Sequence, residues 1–549
     1  MTMVVALGLC GTLFAQVPYE SNWPGFNGNR YPFQAGIVAA IQIDGQIVTA
    51  EYEGWDALEV AFFVGDSCRG AGSTFPGDCH PENYYLYNGY VEEFGDPYPV
   101  LDGTAIYYEN GGETVTVKIY DHLNGILYDH INVTYLGEPL EIITGEDNFQ
   151  GWDDPYNPVI LTVCPTFTKE IVGYGEGTNY WYFIASPIEE DVVPSDENGF
   201  LTDAYDLYYF DQSQMLEEWR NYKDATFNVV NGKGYLYASQ ESTVLSFTGT
   251  PFTGDDGFAE VELVYDAEEG HGWYGWNLVG NPFAFDAYAD RPFYRLDPET
   301  GLYIECTEDD IVPMMEGIFV QTGEDIYENE MMWFVEAASG TDSTGQGGGG
   351  DISKLVIRVN AGRGVSDRAI IRFDGGKQLG KRSFRLNDTQ VYVPVDGNDY
   401  AVVKAAEMGE LPVSFKAGSN GHYMLSFSNV NVDFNYLHLI DNMTGADVDL
   451  LSTPSYSFDA LTTDYASRFK LVFATGSSSD DSFAFYSNGS FVISNEGNAT
   501  LQVIDVTGRI LDSETINGSA SVHVDAAPGV YMLRLINGDN VKVQKVVVK

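Results

Sequence analysis

Positive charge is scarce in this sequence. Its 549 residues hold 27 Lys and Arg against 81 Asp and Glu, a formal net charge of −54. Nucleic-acid binding depends on Lys and Arg that displace counterions from phosphates, and anionic lipids attract the same residues. We therefore expect no nucleic-acid partner and no anionic membrane surface. Acidity keeps a protein in solution and could attract divalent cations. Calcium is the one cofactor left open, although no EF-hand loop occurs.

Cysteine is also rare, with five in the chain and no Cys-x-x-Cys, which gives no support for a thioredoxin-like redox motif or a zinc ribbon. Cys68 and Cys79 flank one short loop, and a disulfide that closes so small a loop would stabilise the fold by about 3 kcal/mol. We predict that these two residues pair. Cys164 and Cys306 have the character of buried small apolar residues, and their pairing is left open.

Signatures of catalysis are missing. The sequence has no Gly-x-Ser-x-Gly elbow, no His-Glu-x-x-His pair and no phosphate-binding glycine loop that continues into Lys. The seven histidines are scattered, and adjacent acids such as Asp153 and Asp154 are expected by chance among 81 carboxylates. No catalytic, cofactor-binding or metal-ligating residue is predicted, and the protein is expected not to be an enzyme.

Long apolar runs are confined to the start of the chain. Residues 3–15 are apolar, too short to span a bilayer, and end on the small residue Ala15. We interpret residues 1–15 as a secretory signal peptide cut after Ala15. No transmembrane segment is predicted.

The sequence is rich in Tyr, Phe and Gly, and stretches such as 58–64 and 114–120 alternate apolar and polar residues as half-buried strands do. Turn signals such as Asp44-Gly45 and Asn537-Gly538 separate these stretches. The length indicates several domains. We predict an all-β protein of β-sandwich-like domains in tandem, with a small immunoglobulin-like sandwich at the C-terminus. The predicted segments are a signal peptide (1–15), an N-terminal β-module (16–145), an internally duplicated β-domain (146–337), a Gly-rich linker (338–350), a β-sandwich spacer module (351–475), a short linker (476–482) and a C-terminal module (483–549).

An internal repeat is the most informative feature of the body of the chain. Trp181-Tyr-Phe-Ile-Ala-Ser-Pro187 returns as Trp276-Asn-Leu-Val-Gly-Asn-Pro282, and Gly234-Tyr-Leu-Tyr237 returns as Gly317-Ile-Phe-Val320. The Tyr208-Tyr-Phe-Asp211 stretch is likewise echoed from Tyr294. We expect two copies of one β-unit that cover each other's apolar face in a pseudo-twofold domain.

The C-terminal module carries three ordered motifs: residues 501–511 around Thr507-Gly508-Arg509, residues 527–535 around Pro528-Gly529-Val-Tyr531, and a Lys-rich strand that ends the chain. Together they resemble the type A C-terminal sorting domain of the type IX secretion system of Bacteroidota. The residues that carry this signal are Gly508, Arg509, Pro528, Gly529, Tyr531, Lys542, Lys545 and Lys549. The resemblance implies a route across the inner membrane by the leader and across the outer membrane by this module. It further implies the secretion translocon as a partner, removal of the module by a sortase-like peptidase, and release or attachment to lipopolysaccharide.

Two further stretches resemble modules of secreted proteins of the same phylum. Residues 61–70 with Tyr120-Asp-His resemble a module common near the N-terminus, and residues 439–450 with 465–469 resemble one that often precedes the sorting domain. The latter is expected to be a stalk or spacer.

Aromatic clusters are the only candidates for a ligand surface, because aromatic faces give contact area at low entropic cost. They are Tyr84, Tyr85, Tyr87, Tyr208 and Trp273. The alternative is a place in the core, because strand alternation puts at least half of such aromatic side chains inside a sandwich. The function predicted is that of a secreted or surface-attached, adhesin-like binding protein with an unknown glycan or protein ligand. The alternatives are an extracellular glycan-active or proteolytic enzyme with a dispersed active site, or a structural surface-layer subunit.

Overall fold

A computed structural model describes residues 22–23, 30–43, 46–48, 52, 54–73, 101–145, 158–176, 180–214, 217–255, 257–265, 272–322, 330–337, 352–362, 365–384, 387–476 and 482–548. The prediction of an all-β protein is confirmed: these residues form strands and three single-turn 3-10 helices, Trp55–Ala57, Tyr174–Glu176 and Asp196–Asn198. The predicted signal peptide and the Gly-rich linker lie outside the described residues. The described chain forms two compact units. The N-terminal unit comprises Met1–Thr168, Ile188–Glu190 and Ser246–Pro251, and the C-terminal unit comprises the rest.

The N-terminal unit is built from eleven described strands. They are β1 (Phe33–Ile43), β2 (Gln46–Ile47), β3 (Leu58–Val64), β4 (Ser67–Ser73), β5 (Leu101–Tyr108), β6 (Thr114–Asp121), β7 (Ile126–Tyr128), β8 (Ile131–Tyr135), β9 (Glu138–Pro139), β10 (Ile142–Ile143) and β11 (Val159–Val163). One sheet has the order β2-β1-β11-β8-β9, with β5 also on β1, and the other has the order β10-β6-β3-β4, with β7 on β6.

Alternation along these strands supplies one core between the two sheets. Ile37 and Leu161 from the first sheet pack in one cluster with Val60, Phe62 and Ile119 from the second. The central strand β11 pairs with β1 in parallel and with β8 antiparallel. It lies beyond residue 145, the predicted end of the N-terminal module.

The duplicated region contributes thirteen strands. They are β12 (Thr166–Ile171), β13 (Tyr182–Ala185), β14 (Tyr205–Phe210), β15 (Trp219–Asn221), β16 (Gly234–Ser239), β17 (Thr243–Thr248), β18 (Phe258–Leu263), β19 (Trp276–Gly280), β20 (Ala287–Ala289), β21 (Phe293–Leu296), β22 (Tyr303–Cys306), β23 (Gly317–Gln321) and β24 (Glu330–Glu336). The first copy has a four-stranded sheet of order β13-β16-β14-β15 and a pair β12-β17. The second has the same arrangement, β19-β23-β21-β22 and β18-β24, with β20 added on β24.

The hydrogen bonds between the two four-stranded sheets also repeat. The amide of Ala185 donates to the carbonyl of Met315 at 3.2 Å, and the equivalent amide of Gly280 donates to the carbonyl of Gly232 at 3.0 Å. Equivalent isolated bridges join Ile184 to Glu316 and Val279 to Lys233. The sequence repeat therefore corresponds to a pseudo-twofold arrangement of strands.

The next module contains eleven strands. They are β25 (Lys354–Ala361), β26 (Val365–Arg372), β27 (Leu379–Gly380), β28 (Gln390–Val395), β29 (Asn398–Lys404), β30 (Met408–Lys416), β31 (Gly421–Val430), β32 (Phe434–Asp441), β33 (Ala446–Asp449), β34 (Ser455–Ala460) and β35 (Phe469–Thr475). They form one sheet of order β33-β32-β35-β30-β28-β29-β26-β25-β31-β34, with β27 on β29. Leu355, Val391, Val413 and Phe469 meet in a single core, so the sheet folds over on itself.

The duplicated region and this module share a second core. Trp276, Tyr294 and Phe319 of the second copy pack in one cluster with Val356 and Val402 of the module. We call this contact between the second copy and the module the joint. It also contains buried charges: the Lys381 ammonium lies 2.6 Å from Glu305 Oε1 and 2.7 Å from Asp367 Oδ1. Burial would lower the pKa of Lys381, but the two carboxylates raise it, so the ammonium stays charged. The module expected as a spacer is thus packed directly against the region before it.

The C-terminal module is a small two-sheet sandwich of seven strands. They are β36 (Ala484–Ser487), β37 (Ser490–Ile493), β38 (Asn498–Ile504), β39 (Ile510–Asn517), β40 (Ala520–His523), β41 (Gly529–Asn537) and β42 (Asn540–Val548). The sheets have the orders β36-β37-β40 and β39-β38-β41-β42. Their core contains Phe491, Leu501, Leu533 and Val546, and all of its buried members belong to the module.

Candidate functional site

The Thr507-Gly508-Arg509 motif forms the turn between β38 and β39. The Asp505 carboxylate accepts the amides of Thr507 and Arg509 at 2.9 and 3.0 Å, and its other oxygen accepts Arg509 Nε at 3.2 Å. Gly508 has φ of 84°, which glycine adopts without strain. The bond from the Thr507 hydroxyl and these further donors lower the pKa of Asp505. The motif therefore fixes a charged, exposed loop at one end of the sandwich.

The Pro528-Gly529 motif leads into β41 and places a buried tyrosine. The Tyr531 hydroxyl donates to the carbonyl of Ala527 at 2.7 Å, four residues back, and its ring meets Phe491 edge-on at 5.8 Å between centroids. The hydroxyl thus ties the chain that enters β41 to the strand itself. This motif builds the core of the module rather than its surface.

The last strand, β42, carries the lysines of the predicted signal. Lys542 and Lys545 are exposed, and Lys549 lies outside the described residues. Between them, Gln544 accepts the amides of Phe483 and Ala484 at 2.7 Å each and donates to the carbonyl of Ala484 at 2.7 Å. It fastens the first strand of the module to the last.

The contact between this module and the preceding one is polar. The Ser487 hydroxyl donates to Glu410 Oε2 at 2.5 Å, and the Asn435 amide donates to the Ser494 hydroxyl at 3.3 Å. A cleft of about 460 Å³ opens beside this contact, lined by Asn435, Gly476, Ser494, Asn495, Glu496, Leu535, Asn537, Asn540 and Lys542. No buried apolar cluster spans the described residues on the two sides of this junction.

A different surface stands out in the duplicated region: the outer face of the β18-β24-β20 sheet. Trp333 is 48% exposed, Met331 44% and Phe258 36%, and the rings of Trp333 and Phe258 lie 5.8 Å apart. Glu260 is the direct neighbour of Trp333 across the strands, and Glu262 is that of Met331. We call this surface the Trp333 face; its members are Phe258, Glu260, Glu262, Met331, Trp333 and Val335.

The Trp333 face was missed by the sequence analysis, although the repeat contains the signal for it. Residues 166–171 and 243–248 of the first copy form the equivalent strand pair. The buried positions match in type, with Leu245 and Phe247 at the places of Met332 and Phe334. The outer positions do not: the first copy has Thr166, Ser246 and Thr248 where the second has Phe258, Trp333 and Val335. The two threonine hydroxyls hydrogen-bond at 2.7 Å.

The aromatic residues predicted as a ligand surface fall in different places. Tyr84, Tyr85 and Tyr87 lie outside the described residues. Trp273 is half-buried in the joint between the second copy and the following module, 5.8 Å from Phe384, with the Arg382 guanidinium 4.8 Å from its ring. Tyr208 is half-buried on β14, 6.0 Å from Trp181. No ring contact joins Tyr208 to Trp273 in the described chain, and their binding role stays a prediction.

The predicted disulfide also stays a prediction, because Cys79 lies outside the described residues. Burial raises the pKa of the Cys68 thiol to about 11, and its sulfur contacts the carbonyl of Gly70 at 3.5 Å. Cys164 and Cys306 are buried free thiols. Among the described residues no three His, Cys, Asp or Glu side chains gather as a metal site, and no helix is long and apolar enough to cross a membrane. Calcium binding stays a prediction.

Comparison with known proteins gives one informative match. Residues 487–549 match the family described as the secretion system C-terminal sorting domain. No curated protein matches the chain. Among solved structures, a biofilm-associated protein BSP domain aligns at 9% identity over 99% of both chains with a TM-score of 0.13. Dimeric latent PorU from Porphyromonas gingivalis aligns at 10% identity over 94% of this chain and 46% of its own, with a TM-score of 0.10. At these scores neither likeness bears on fold or function.

The family match covers the same strands, turns and buried tyrosine that the three motifs build, and it confirms the resemblance found in the sequence. The module is the part of the chain that addresses it to the secretion machinery. Residues 487–549 are a C-terminal sorting domain of the type IX secretion system of Bacteroidota, and the chain is exported to the cell surface or the extracellular space.

Proposed function

We propose that this exported protein works outside the cell by binding, as an adhesin-like protein, and that the Trp333 face is its contact surface. The observation that carries the proposal is the difference between the two copies of the repeat. Both copies build the same strand pair over the same kind of core, yet only the second exposes tryptophan, phenylalanine and methionine together. The fold does not require these aromatic side chains, since the first copy has threonine and serine at the places of Phe258 and Trp333; at the place of Met331 it has the smaller exposed Val244.

An exposed apolar patch on a secreted protein has a cost in solubility unless a ligand covers it. Tryptophan is also the residue most enriched among those that dominate binding energy at interfaces. The Trp333 face lies on paired strands, so its side chains are held in place before the ligand arrives. This arrangement reduces the entropy lost on binding.

The sorting domain is proposed to be removed on export by a sortase-like peptidase, with the body then released or attached to lipopolysaccharide. Its separate core and its polar contact with the preceding module support this step. Removal would expose polar groups such as Glu410 and Asn435, and it would open no buried apolar cluster among the described residues. The body would therefore lose little stability.

Binding without catalysis is part of the same proposal. The buried charged groups of the joint are engaged with one another: Lys381 with Glu305 and Asp367, and Arg372 with Glu308 at 2.7 Å. In these pairs the charges hold two modules together. A general acid or base needs a proton-transfer partner in an accessible site.

The test compares the purified full chain with a Trp333→Ser, Phe258→Thr double variant, which copies the first repeat. Both are applied to a glycan array and a protein microarray, and to panels of chromogenic glycosidase and peptidase substrates. We expect saturable binding to a small set of array spots, no turnover, and at least about tenfold weaker binding by the double variant.

Two results would contradict the proposal. Turnover of any substrate by the wild-type chain would indicate the enzyme alternative. Binding that is unchanged in the double variant would remove the Trp333 face from the function. A Ser246→Ala variant in the first copy is the matched control and should bind as the wild type does.

A further inference from the structure

From the charges on the Trp333 face we infer the class of its partner: a protein segment with arginine or lysine beside an apolar residue. This inference rests on the proposed binding function and adds the chemistry of the ligand. Two independent features support this inference. One is the aromatic and acidic side chains of the face, and the other is the net charge of the part of the chain that contains it.

The aromatic feature is the pairing of a tryptophan with a carboxylate. Glu260 lies directly opposite Trp333 on the neighbouring strand and is exposed, with no ion pair to another described residue. A guanidinium stacked on the Trp333 ring would lie within reach of this carboxylate. Such a cation gains from both the ring quadrupole and the charge pair.

The cation–π part of this chemistry already occurs inside this protein. The guanidinium of Arg382 lies 4.8 Å from the ring centre of Trp273 and 5.4 Å from that of Trp276. At the Trp333 face the tryptophan is exposed and no such cation is present among the described residues. The arrangement is that of a cation–π site whose arginine would come from a partner.

The electrostatic feature is the uneven distribution of charge along the chain. Residues 483–549 hold five Lys or Arg and six Asp or Glu, a net charge of −1, so −53 of the total of −54 belongs to residues 1–482. The body that carries the Trp333 face therefore attracts basic molecules and repels acidic ones. This negative field would repel an anionic glycan.

Apolar side chains favour a protein over a neutral sugar. Met331, with 44% exposure, and the half-buried Val335 flank the Trp333 ring on the same strand. Methionine and aromatic residues are enriched at protein interfaces, and an apolar centre with a charged rim is the usual form of such a site. Aliphatic side chains offer nothing to the hydroxyl groups of a carbohydrate.

The experiment is a selection from a random displayed-peptide library on the immobilised full-length chain, with counter-selection on the Trp333→Ser, Phe258→Thr variant. We expect enriched peptides that combine Arg or Lys with an apolar residue. Synthetic versions should bind at least about tenfold more weakly to the double variant and to Glu260→Lys, and binding should weaken at high salt.

Glu170 of the first copy occupies the place that Glu262 has in the second. The Glu170→Lys variant should bind the peptides with an affinity within about twofold of the wild type. Equal melting temperatures of all variants show that folding is intact; if the double variant unfolds, Glu260→Lys alone decides. Enrichment of acidic or neutral peptides, or of none, overturns the inference. If glycans on the array then bind in a Trp333-dependent way, the proposed binding function stands and only the partner class is wrong.

Discussion

Aspartate at the start of a tight hairpin recurs across the chain. In three hairpins the amide of a glycine four residues on donates to the aspartate carbonyl, at 2.8, 2.6 and 2.8 Å, while the aspartate side chain accepts amides of the loop. The pairs are Asp121 and Gly125, Asp297 and Gly301, and Asp441 and Gly445. A carboxylate used in this way stabilises a turn. Some of the many aspartates of the chain therefore have a structural role in its turns.

Asp441 has a second task, which makes it the most sensitive of these residues. Its carboxylate is 1% exposed and forms a paired contact with Arg468, 2.9 Å from Nη2 and 3.2 Å from Nε. Asp441→Asn should lower the free energy of unfolding by about 3–5 kcal/mol, because it leaves the Arg468 charge buried without its partner. Urea unfolding of the two proteins measures the difference.

The pH dependence of stability follows from the same pair. Burial would raise the pKa of Asp441, but the hydrogen bonds from Arg468 and its other donors lower it below the ordinary value. The stabilisation is thus complete above the unfolded pKa of about 3.9 and is lost as pH falls through the lower folded pKa. Asp441→Asn should flatten the acid limb of a stability–pH curve. An unchanged acid limb would show that other carboxylates dominate it.

The predicted Cys68–Cys79 disulfide is directly testable. The wild-type secreted protein should resist alkylation at both residues until a reductant is added, whereas Cys164 and Cys306 should react only after unfolding. Loss of the disulfide in Cys79→Ser should lower stability by about 3 kcal/mol, since the loop is no longer closed in the unfolded chain. Rapid alkylation of Cys68 in the native wild-type protein would contradict the pairing.

Residues whose partners are close in sequence could be predicted, and those with distant partners could not. The turn at Gly508 and the approach to Tyr531 are determined by neighbours within four residues, so their motifs could be recognised in the sequence. Trp273 is predicted as a binding aromatic, and nothing in the sequence indicates its structural neighbours Arg382 and Phe384. Both neighbours lie more than 100 residues from Trp273 in the sequence, and their contact with it depends on how the two modules pack.

Strands buried on both faces account for the shared core. Leu355, Val356 and Ile357 are consecutive and all buried, because alternate side chains enter the module's own core and the joint with the second copy. Continuous apolar runs of this kind are typical of strands covered on two sides. The run Ala401-Val-Val403 is buried in the same way, with Ala401 and Val402 in the core shared with the second copy and Val403 in the module's own core, so such a run indicates a strand that a neighbour covers.

Glycines at the pseudo-twofold contact allow the two four-stranded sheets to meet. A Cβ on Gly234 would lie 2.6 Å from the carbonyl oxygen of Val279, and one on Gly280 would lie 2.5 Å from the Cβ of Ala185. Alanine at either position should cost about 1–3 kcal/mol of stability, because backbone must move. Gly317→Ala, at the place of Gly234 in the second copy, has 3.3 Å of clearance and should cost less. Thermal melts of the three variants rank these costs; equal costs would mean that the contact is looser than described.

At the scale of the molecule, two junctions that look alike in sequence differ in structure. One junction is at the Gly-rich residues 338–350 and the other at the Ser-rich residues 476–482. Only the second separates two independent cores. A chain truncated after residue 482 should keep the melting temperature of the body, because its cores are complete without the sorting domain. It should accumulate in the periplasm, which fractionation and surface labelling would detect. Surface display of the truncated chain at the normal level would contradict the role of the sorting domain.

Cleavage at the two junctions should therefore have opposite results. With a protease site engineered at residues 341–347, the cut chain should still elute as one species, because Trp276 and Phe319 remain packed on Val356 and Val402 and Lys381 remains paired with Glu305 across the joint. With the same site at residues 477–481, the polar contact alone should not hold the sorting domain, and two species should separate on size exclusion. Dissociation after the first cut would show that the covalent link, and not the shared core, joins the duplicated region to the module that follows it.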